Sequence, residues 1–258
     1  MEYFVWSANP IALSIGSIHV FWYGILFASA ILSGQMLMTW IYKQEGISEK
    51  TLEAGFIYAL VGIVVGARLG HCFFYDPSYY LSNPLEIFAV WKGGLASHGG
   101  GLGMIIAMYL YTKKYKFNFL WLLDRVVIST ALFAFFVRMG NFMNSEIVGI
   151  PTQVPWAVIF TKIDLLPRHP AQLYEAISYL FIALILFLIY ARYKENLKPG
   201  LNFSLFLVLI FVVRIVVEFV KVKQADYDTS FLMMSTGQAL SIPFLLFGLG
   251  MLVWSLKR

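Results

Sequence analysis

Seven almost unbroken apolar stretches dominate this chain, each close to the roughly 20 residues that cross a hydrocarbon core of about 30 Å as a helix. They lie near Ile18–Tyr42, Ala54–Tyr75, Gly94–Thr112, Val126–Phe142, Leu173–Ala191, Leu201–Val220 and Phe231–Trp254. Runs this long and continuous predict helices, because the strands of a membrane barrel alternate apolar and polar residues with a period of two. Composition agrees: of 258 residues 60% are hydrophobic and 13% charged, against roughly 45–50% and 25% in soluble chains. So few polar side chains cannot cover a water-facing surface. The expected fold is an all-α integral membrane protein with about seven transmembrane helices, forming a single membrane domain over residues 1–258.

Lysine and arginine give the orientation. Lys43, Lys50, Lys113, Lys114, Lys116, Arg125, Arg192, Lys194, Lys198, Lys257 and Arg258 fall on one side of the predicted spans, and only Lys92, Lys162, Arg168, Lys221 and Lys223 on the other. The positive-inside rule puts the N-terminus outside and the C-terminus in the cytoplasm. No basic stretch or small-residue cleavage site precedes the first apolar run, so the first span is expected to stay in the mature chain. All seven tryptophans (Trp6, Trp22, Trp40, Trp91, Trp121, Trp156 and Trp254) fall at predicted span ends or in loops, as interfacial anchors do. A net charge of +5 without a basic water-facing module does not predict nucleic-acid binding. The lone Cys72 offers neither a disulfide nor a metal site. Residues 141–172, with four prolines and the apolar run VPWAVIF, predict a structured extracytoplasmic segment between spans four and five.

Three basic residues remain, Arg68, Arg138 and Arg214, each inside a predicted span. A charge at the centre of a membrane helix costs roughly 2.5–3.5 kcal/mol and marks function by default. Counted from the predicted helix starts, all three lie in the outer half of the membrane, as do Tyr23 and His98. This predicts one polar cavity opening to the outer leaflet. Several arginines with few carboxylates beside them suit an anion, and a lipid phosphate is the anion found at that depth. Arg214 and Glu218, four apart, share a helix face and are open to an intramembrane ion pair. His71 and Cys72 read as structural.

Two stretches have chemistry-like composition. WKGGLASHGGGLG (Trp91–Gly103) sets His98 among six glycines, which permit close backbone approach. Its His-Gly-Gly also occurs in lipase oxyanion loops, but the chain has no GxSxG nucleophile elbow, and helix packing is the competing explanation for Gly101 and Gly103. VRMGNFMNSEIVG (Val137–Gly149) runs an arginine into Asn141, Asn144, Ser145 and Glu146, more hydrogen-bonding groups than a helix end requires.

The second stretch resembles the signature of the phosphatidylglycerol–prolipoprotein diacylglyceryl transferases. The resemblance continues, in family order, through GARLGHCFFY, WKGGLASHGG, PTQVPWAVIF, RHPAQLYEA, RIVVEF and STGQALSIP. It implies a multi-pass enzyme of the bacterial inner membrane, facing the extracytoplasmic leaflet, that moves the diacylglyceryl group of phosphatidylglycerol onto the lipobox cysteine of a prolipoprotein. No cofactor or metal is implied; the partners are phosphatidylglycerol, the lipobox peptide and membrane lipids. By the resemblance the critical arginines fall on Arg138 and Arg214, the histidine on His98, and the supporting polar residues on Tyr23, Asn141, Asn144, Glu146 and Glu218, with Arg68 added by its depth. The chain departs from the family at Ile210, where a tyrosine is common, at Val137 for a glycine and at Lys221 for an arginine. A lipid or anion transporter with an arginine-lined cavity, or a seven-helix scaffold, is the alternative, disfavoured by the lack of inverted repeats and by the ionisable groups gathered at one depth.

Overall fold

The computed structural model describes residues 2–222 and 234–258, without the side chains of Ser97, His98, Glu195 and Thr236. The chain is mostly helical: α1 (Trp22–Gln44), α2 (Glu49–Phe74), the short α3 (Pro77–Ser82), α4 (Ser97–Tyr115), α5 (Phe119–Asn144), α6 (Ala171–Tyr193), α7 (Leu201–Glu218) and α8 (Thr236–Lys257). Among the described residues six of these, α1, α2, α5, α6, α7 and α8, are long and apolar enough to cross a membrane. The third predicted span is the helix α4. Phe231 and the next residues, where the seventh was expected to start, and Lys223 lie outside the described residues.

The first span begins later than expected. Ile18–Phe21 forms strand β3, paired antiparallel with β2 (Ile11–Ile15) around Gly16, whose φ of 60° suits the turn. Ile18, Val20 and Phe21 are as apolar as a membrane helix, so hydropathy alone merged them with α1. In contrast, α2 and α5 begin several residues ahead of the predicted starts, at Glu49 and Phe119. Ser48 caps α2, its hydroxyl accepting from the Thr51 N–H. The earlier starts place Arg68 and Arg138 farther from the beginning of their helices than expected; each is six residues from the end of its helix, and Arg214 is four from the end of α7.

The chain divides into two compact units, residues 39–122 and residues 1–38 with 123–258. In the first, α2 and α4 run antiparallel with almost no side chain between them. A Cβ on Gly66 would collide with the carbonyl oxygen of Gly99 and come within 2.7 Å of the Gly103 Cα, and one on Gly62 would lie 2.5 Å from the Ala107 Cβ. Lipid offers no hydrophobic drive for helix association, so such close backbone packing is what holds a helix pair together. At the other end of the pair, the Tyr111 hydroxyl donates to the Thr51 carbonyl (3.0 Å) and meets the Tyr42 hydroxyl (3.2 Å).

The second unit contains most of α5, the helices α6 to α8 and the segment between α5 and α6, which is structured as expected but shorter than 141–172, since α5 runs to Asn144 and α6 begins at Ala171. It folds as a small sheet in which β4 (Val158–Phe160) pairs parallel with the N-terminal β1 (Phe4–Trp6) and antiparallel with β5 (Pro167–Arg168). Phe142, Val148, Val158 and Phe160 form its core, covered by Trp6 and Leu173. The Trp6 indole also donates to the Phe142 carbonyl (3.1 Å), joining the sheet to the end of α5. Arg168 pairs with Asp164 and donates to the Gly149 carbonyl (3.1 Å); its guanidinium holds the Asp164 carboxyl below the usual carboxylate range. Near the start of α5 the buried Asp124 accepts the Gly200 N–H (2.6 Å) and the Phe203 N–H (2.9 Å). It therefore satisfies the open N-terminus of α7 from a neighbouring helix.

The two glycines for which packing competed with function separate here: Gly103 faces α2, whereas nothing lies within 4 Å of a Cβ on Gly101. Gly103→Val is expected to destabilise the protein by about 1–3 kcal/mol through overpacking, while Gly101→Val changes stability by less than about 0.5 kcal/mol. Thermal unfolding of the two variants in detergent measures the difference.

Candidate active site

The signature stretch Val137–Gly149 bridges the end of α5 and the segment that leads to α6. Gly140 lies under the ring of Tyr23, the second residue of α1: a Cβ there would be 2.7 Å from the Tyr23 Cδ2. The glycine thus lets α1 place its tyrosine against α5, one turn from Arg138 and Asn141. Beyond the helix, Ser145 and Ile147 adopt positive φ (58° and 55°) on either side of Glu146. The left-handed region is costly for a β-branched residue, and such strain persists where surrounding contacts over-determine it. Those contacts are present. The Glu146 carboxylate accepts from the Asn141 amide (3.1 Å) and the Asn144 amide (3.1 Å), its N–H donates to the Asn141 carbonyl (2.9 Å), and its own carbonyl accepts from the Gln172 amide (2.5 Å).

Arg138 connects this turn to α6. Its Nε lies 2.8 Å from the Glu175 Oε2 and its Nη1 donates to the Asn141 Oδ1 (3.2 Å). Glu175 has 0% of its surface exposed and also holds Lys221, whose Nζ is 2.7 Å from its Oε1. Lys221 in turn stands 3.7 Å from the Glu218 carboxylate. Glu218, Lys221, Glu175, Arg138, Asn141, Glu146 and Asn144 therefore form one continuous polar chain within the second unit. Tyr179, one turn beyond Glu175 on α6, donates to it (3.3 Å), and both Arg138 and Arg214 act electrostatically on its hydroxyl.

The intramembrane pair that the spacing of Arg214 and Glu218 allows is not made among the described residues. Glu218 turns toward α8, where it accepts from the Ser235 hydroxyl (3.1 Å) and lies so close to Gly237 that a Cβ there would be 2.5 Å from its Oε1. A helix N-terminus attracts a carboxylate, and the Ser235 hydroxyl, which accepts from the Gln238 N–H in a capping box, still has its own proton to donate to Glu218. Arg214 is exposed and makes no ion pair among the described residues. The expectation of several arginines with few carboxylates is corrected accordingly: Arg138 is matched by Glu175, and Arg214 is the guanidinium without an ion pair among the described residues.

Arg68 and His98 belong to the other unit. Arg68 is buried and its donors go to the chain itself, to the carbonyls of Ile87 (2.9 Å), Gly93 (2.5 Å), Gly94 (3.2 Å) and Glu86 (2.6 Å), with its guanidinium over the Tyr80 ring. It holds the connection between α2 and α4 in shape. His71 stacks on Tyr75, and Cys72 is buried, as their structural reading required. His98 is the second residue of α4, and its side chain lies outside the described residues.

Sequence reasoning missed Glu175, Gln172 and Lys221. The first two stand in RHPAQLYEA, legible only as part of a resemblance, because an acid at the start of a span looks like an interfacial residue. Lys221 was counted among the outward charges that set orientation, whereas it is largely buried and ion-paired. His169, from the same stretch, hydrogen-bonds the Tyr174 hydroxyl (3.0 Å), which also accepts from Trp156 (2.7 Å), and burial pushes its imidazole below the ordinary histidine range.

Comparison with known proteins supplies the context. Residues 10–254 match the family described as Prolipoprotein diacylglyceryl transferase. The chain is 47% identical to the phosphatidylglycerol–prolipoprotein diacylglyceryl transferase of Tolumonas auensis over 254 residues, covering 98% of both chains. It is 45% identical to that of Chloroherpeton thalassium, over 100% of this chain and 96% of the other. With that of Bacteroides fragilis it shares 42% identity, over 95% and 92%. The buried acid, the paired arginine and the asparagine-bound glutamate thus lie in a chain that belongs to the prolipoprotein diacylglyceryl transferase family.

Proposed function

We propose that this chain transfers the diacylglyceryl group of phosphatidylglycerol to the lipobox cysteine thiol of a prolipoprotein, the first step of lipoprotein maturation, at the outer face of a bacterial inner membrane. The observation that carries this reading is the contrast between the two arginines near Tyr179: one fixed by a buried acid, the other without an ion pair among the described residues. In the reaction the cysteine sulfur bonds to the glyceryl carbon, the carbon–oxygen bond to phosphorus breaks, and glycerol phosphate leaves with the electron pair. Negative charge grows on the phosphate as that bond lengthens, so fixed cations are worth most there. Arg214 takes the phosphate, and Arg138, held by Glu175 and Asn141, offers its remaining N–H groups to the same anion. Glu146 and Glu218 orient the polar chain around them, and Tyr23, Asn141 and Asn144 line the approach. Arg68 serves by shaping the loop ahead of α4. His98 accepts the thiol proton, the general-base role for which an imidazole is the side chain best suited near neutral pH. The thiol belongs to the substrate, so the enzyme needs no nucleophile of its own.

Arg138→Ala and Arg214→Ala should each lower thioether formation from phosphatidylglycerol and a lipobox peptide by at least about a hundredfold while the protein still inserts. Retention of wild-type transfer by either variant would rule out the phosphate clamp, and movement of lipid without thioether product would favour a transporter. Glu175→Gln keeps the shape but removes the charge that two cations share; kcat is expected to drop about tenfold or more, with less change in KM. His98→Gln should lose more activity at neutral than at alkaline pH, where the thiol ionises unaided; an equal loss across a pH–rate profile would make His98 structural.

A further inference from the structure

Gln172 is the second residue of α6 and has 0% of its surface exposed. Its amide nitrogen donates to the Glu146 carbonyl at 2.5 Å, and a carbonyl only accepts, so that nitrogen must face it. Its Oε1 is buried with no hydrogen-bond partner among the described residues. A buried amide normally satisfies both ends, so the side chain is placed for a single bond. That bond reaches the residue between two left-handed positions, Ser145 and Ile147. Counting along α6, Gln172, Glu175 and Tyr179 are spaced i, i+3 and i+7 and share one face. One rigid surface therefore holds the Glu146 peptide through Gln172 and the Arg138 guanidinium through Glu175.

We propose that Gln172 is a positioning residue for the transfer reaction: by binding the Glu146 carbonyl it stabilises the strained turn and aims the Glu146 carboxylate at Asn141 and, through it, Arg138. Without the amide donor the left-handed pair relaxes, the carboxylate leaves the two asparagines, and Arg138 loses the alignment that Asn141 provides. The proposal rests on the transfer function above. Small displacements of this kind are expensive, since about 1 Å of misplacement can cost on the order of a hundredfold in rate.

The experiment is steady-state transfer from phosphatidylglycerol to a lipobox peptide by detergent-solubilised full-length protein, normalised to the folded fraction. Gln172→Met, of similar volume but without the donor, is expected to reduce kcat about tenfold or more, with KM for the lipid within about threefold and the melting temperature within a few degrees of wild type. Gln172→Glu, which sets an acceptor against the carbonyl, should lose at least as much. In a Glu146→Gln background the further loss from Gln172→Met should shrink to about twofold or less, because residues that act through one another are not additive. If Glu146→Gln leaves no measurable turnover, Glu146→Asp, which keeps the carboxylate but shortens its reach, replaces it as the background, with the same non-additivity in kcat expected. An unchanged kcat in the folded fraction of Gln172→Met would overturn the proposal, as would equal losses in both backgrounds. Wild-type protein that makes no thioether would overturn the transfer reading instead.

Discussion

A carboxylate sealed inside a membrane protein is tolerable only when cations and hydrogen bonds meet it, and Glu175 is met by two cations and a tyrosine. Removing one partner of such a pair is far worse than never having built it, so Arg138 and Lys221 are fixed by the same acid that needs them. Because Arg138 is on α5, Glu175 on α6 and Lys221 just past α7, this one group joins three segments at the end where the signature turn begins. Without it Arg138 would be free to sample rotamers, and a guanidinium that has to be reordered during reaction is a poor stabiliser of developing charge.

The pairing also changes how anion binding should be understood. Arg138, Arg214 and Lys221 stand with Glu146, Glu175 and Glu218, three bases with three acids, so under the proposed reaction this group of side chains presents no large positive field to the lipid. What it offers is directional: one guanidinium with no ion pair among the described residues, and another whose occupied edge is fixed and whose other N–H groups are left over. Selectivity for a phosphate that loses an ester bond follows from such fixed donors better than from net charge, since bulk positive charge would hold the intact lipid equally well.

Much of the fold was legible because hydropathy and length report a membrane helix directly. The errors came where another element has the same composition, as with Ile18–Phe21, whose β-branched residues pair in a hairpin, or where a helix runs past its apolar stretch, as α2 does back to Glu49. In the site, rarity exposed Arg138 and Arg214, since a basic residue in mid-span has few explanations. Glu175 and Lys221 escaped because acids and lysines near span ends are ordinary, and their burial is set by packing between distant segments. Arg68 shows the limit of the depth argument: it shares a position along its helix with Arg138, yet its donors close a loop. Backbone strain at Ser145 and Ile147 was invisible to composition, because nothing in the letters of NSEI announces two left-handed residues.

Lys221 shows how far the polar chain tolerates variation. The resemblance places an arginine there, and a guanidinium is a planar fork suited to one bidentate partner, whereas an ammonium is a compact charge with three rotatable donors. In this chain the position faces two acids on different segments, Glu175 at 2.7 Å and Glu218 at 3.7 Å. A lysine can approach both without matching the plane of either. The substitution therefore keeps the charge that Glu175 requires and changes only how Glu218 is held, and Glu218 has the Ser235 hydroxyl and the start of α8 as further support. Arg138 has no such latitude: its Nε and Nη1 engage Glu175 and Asn141 at once, and only a fork reaches both.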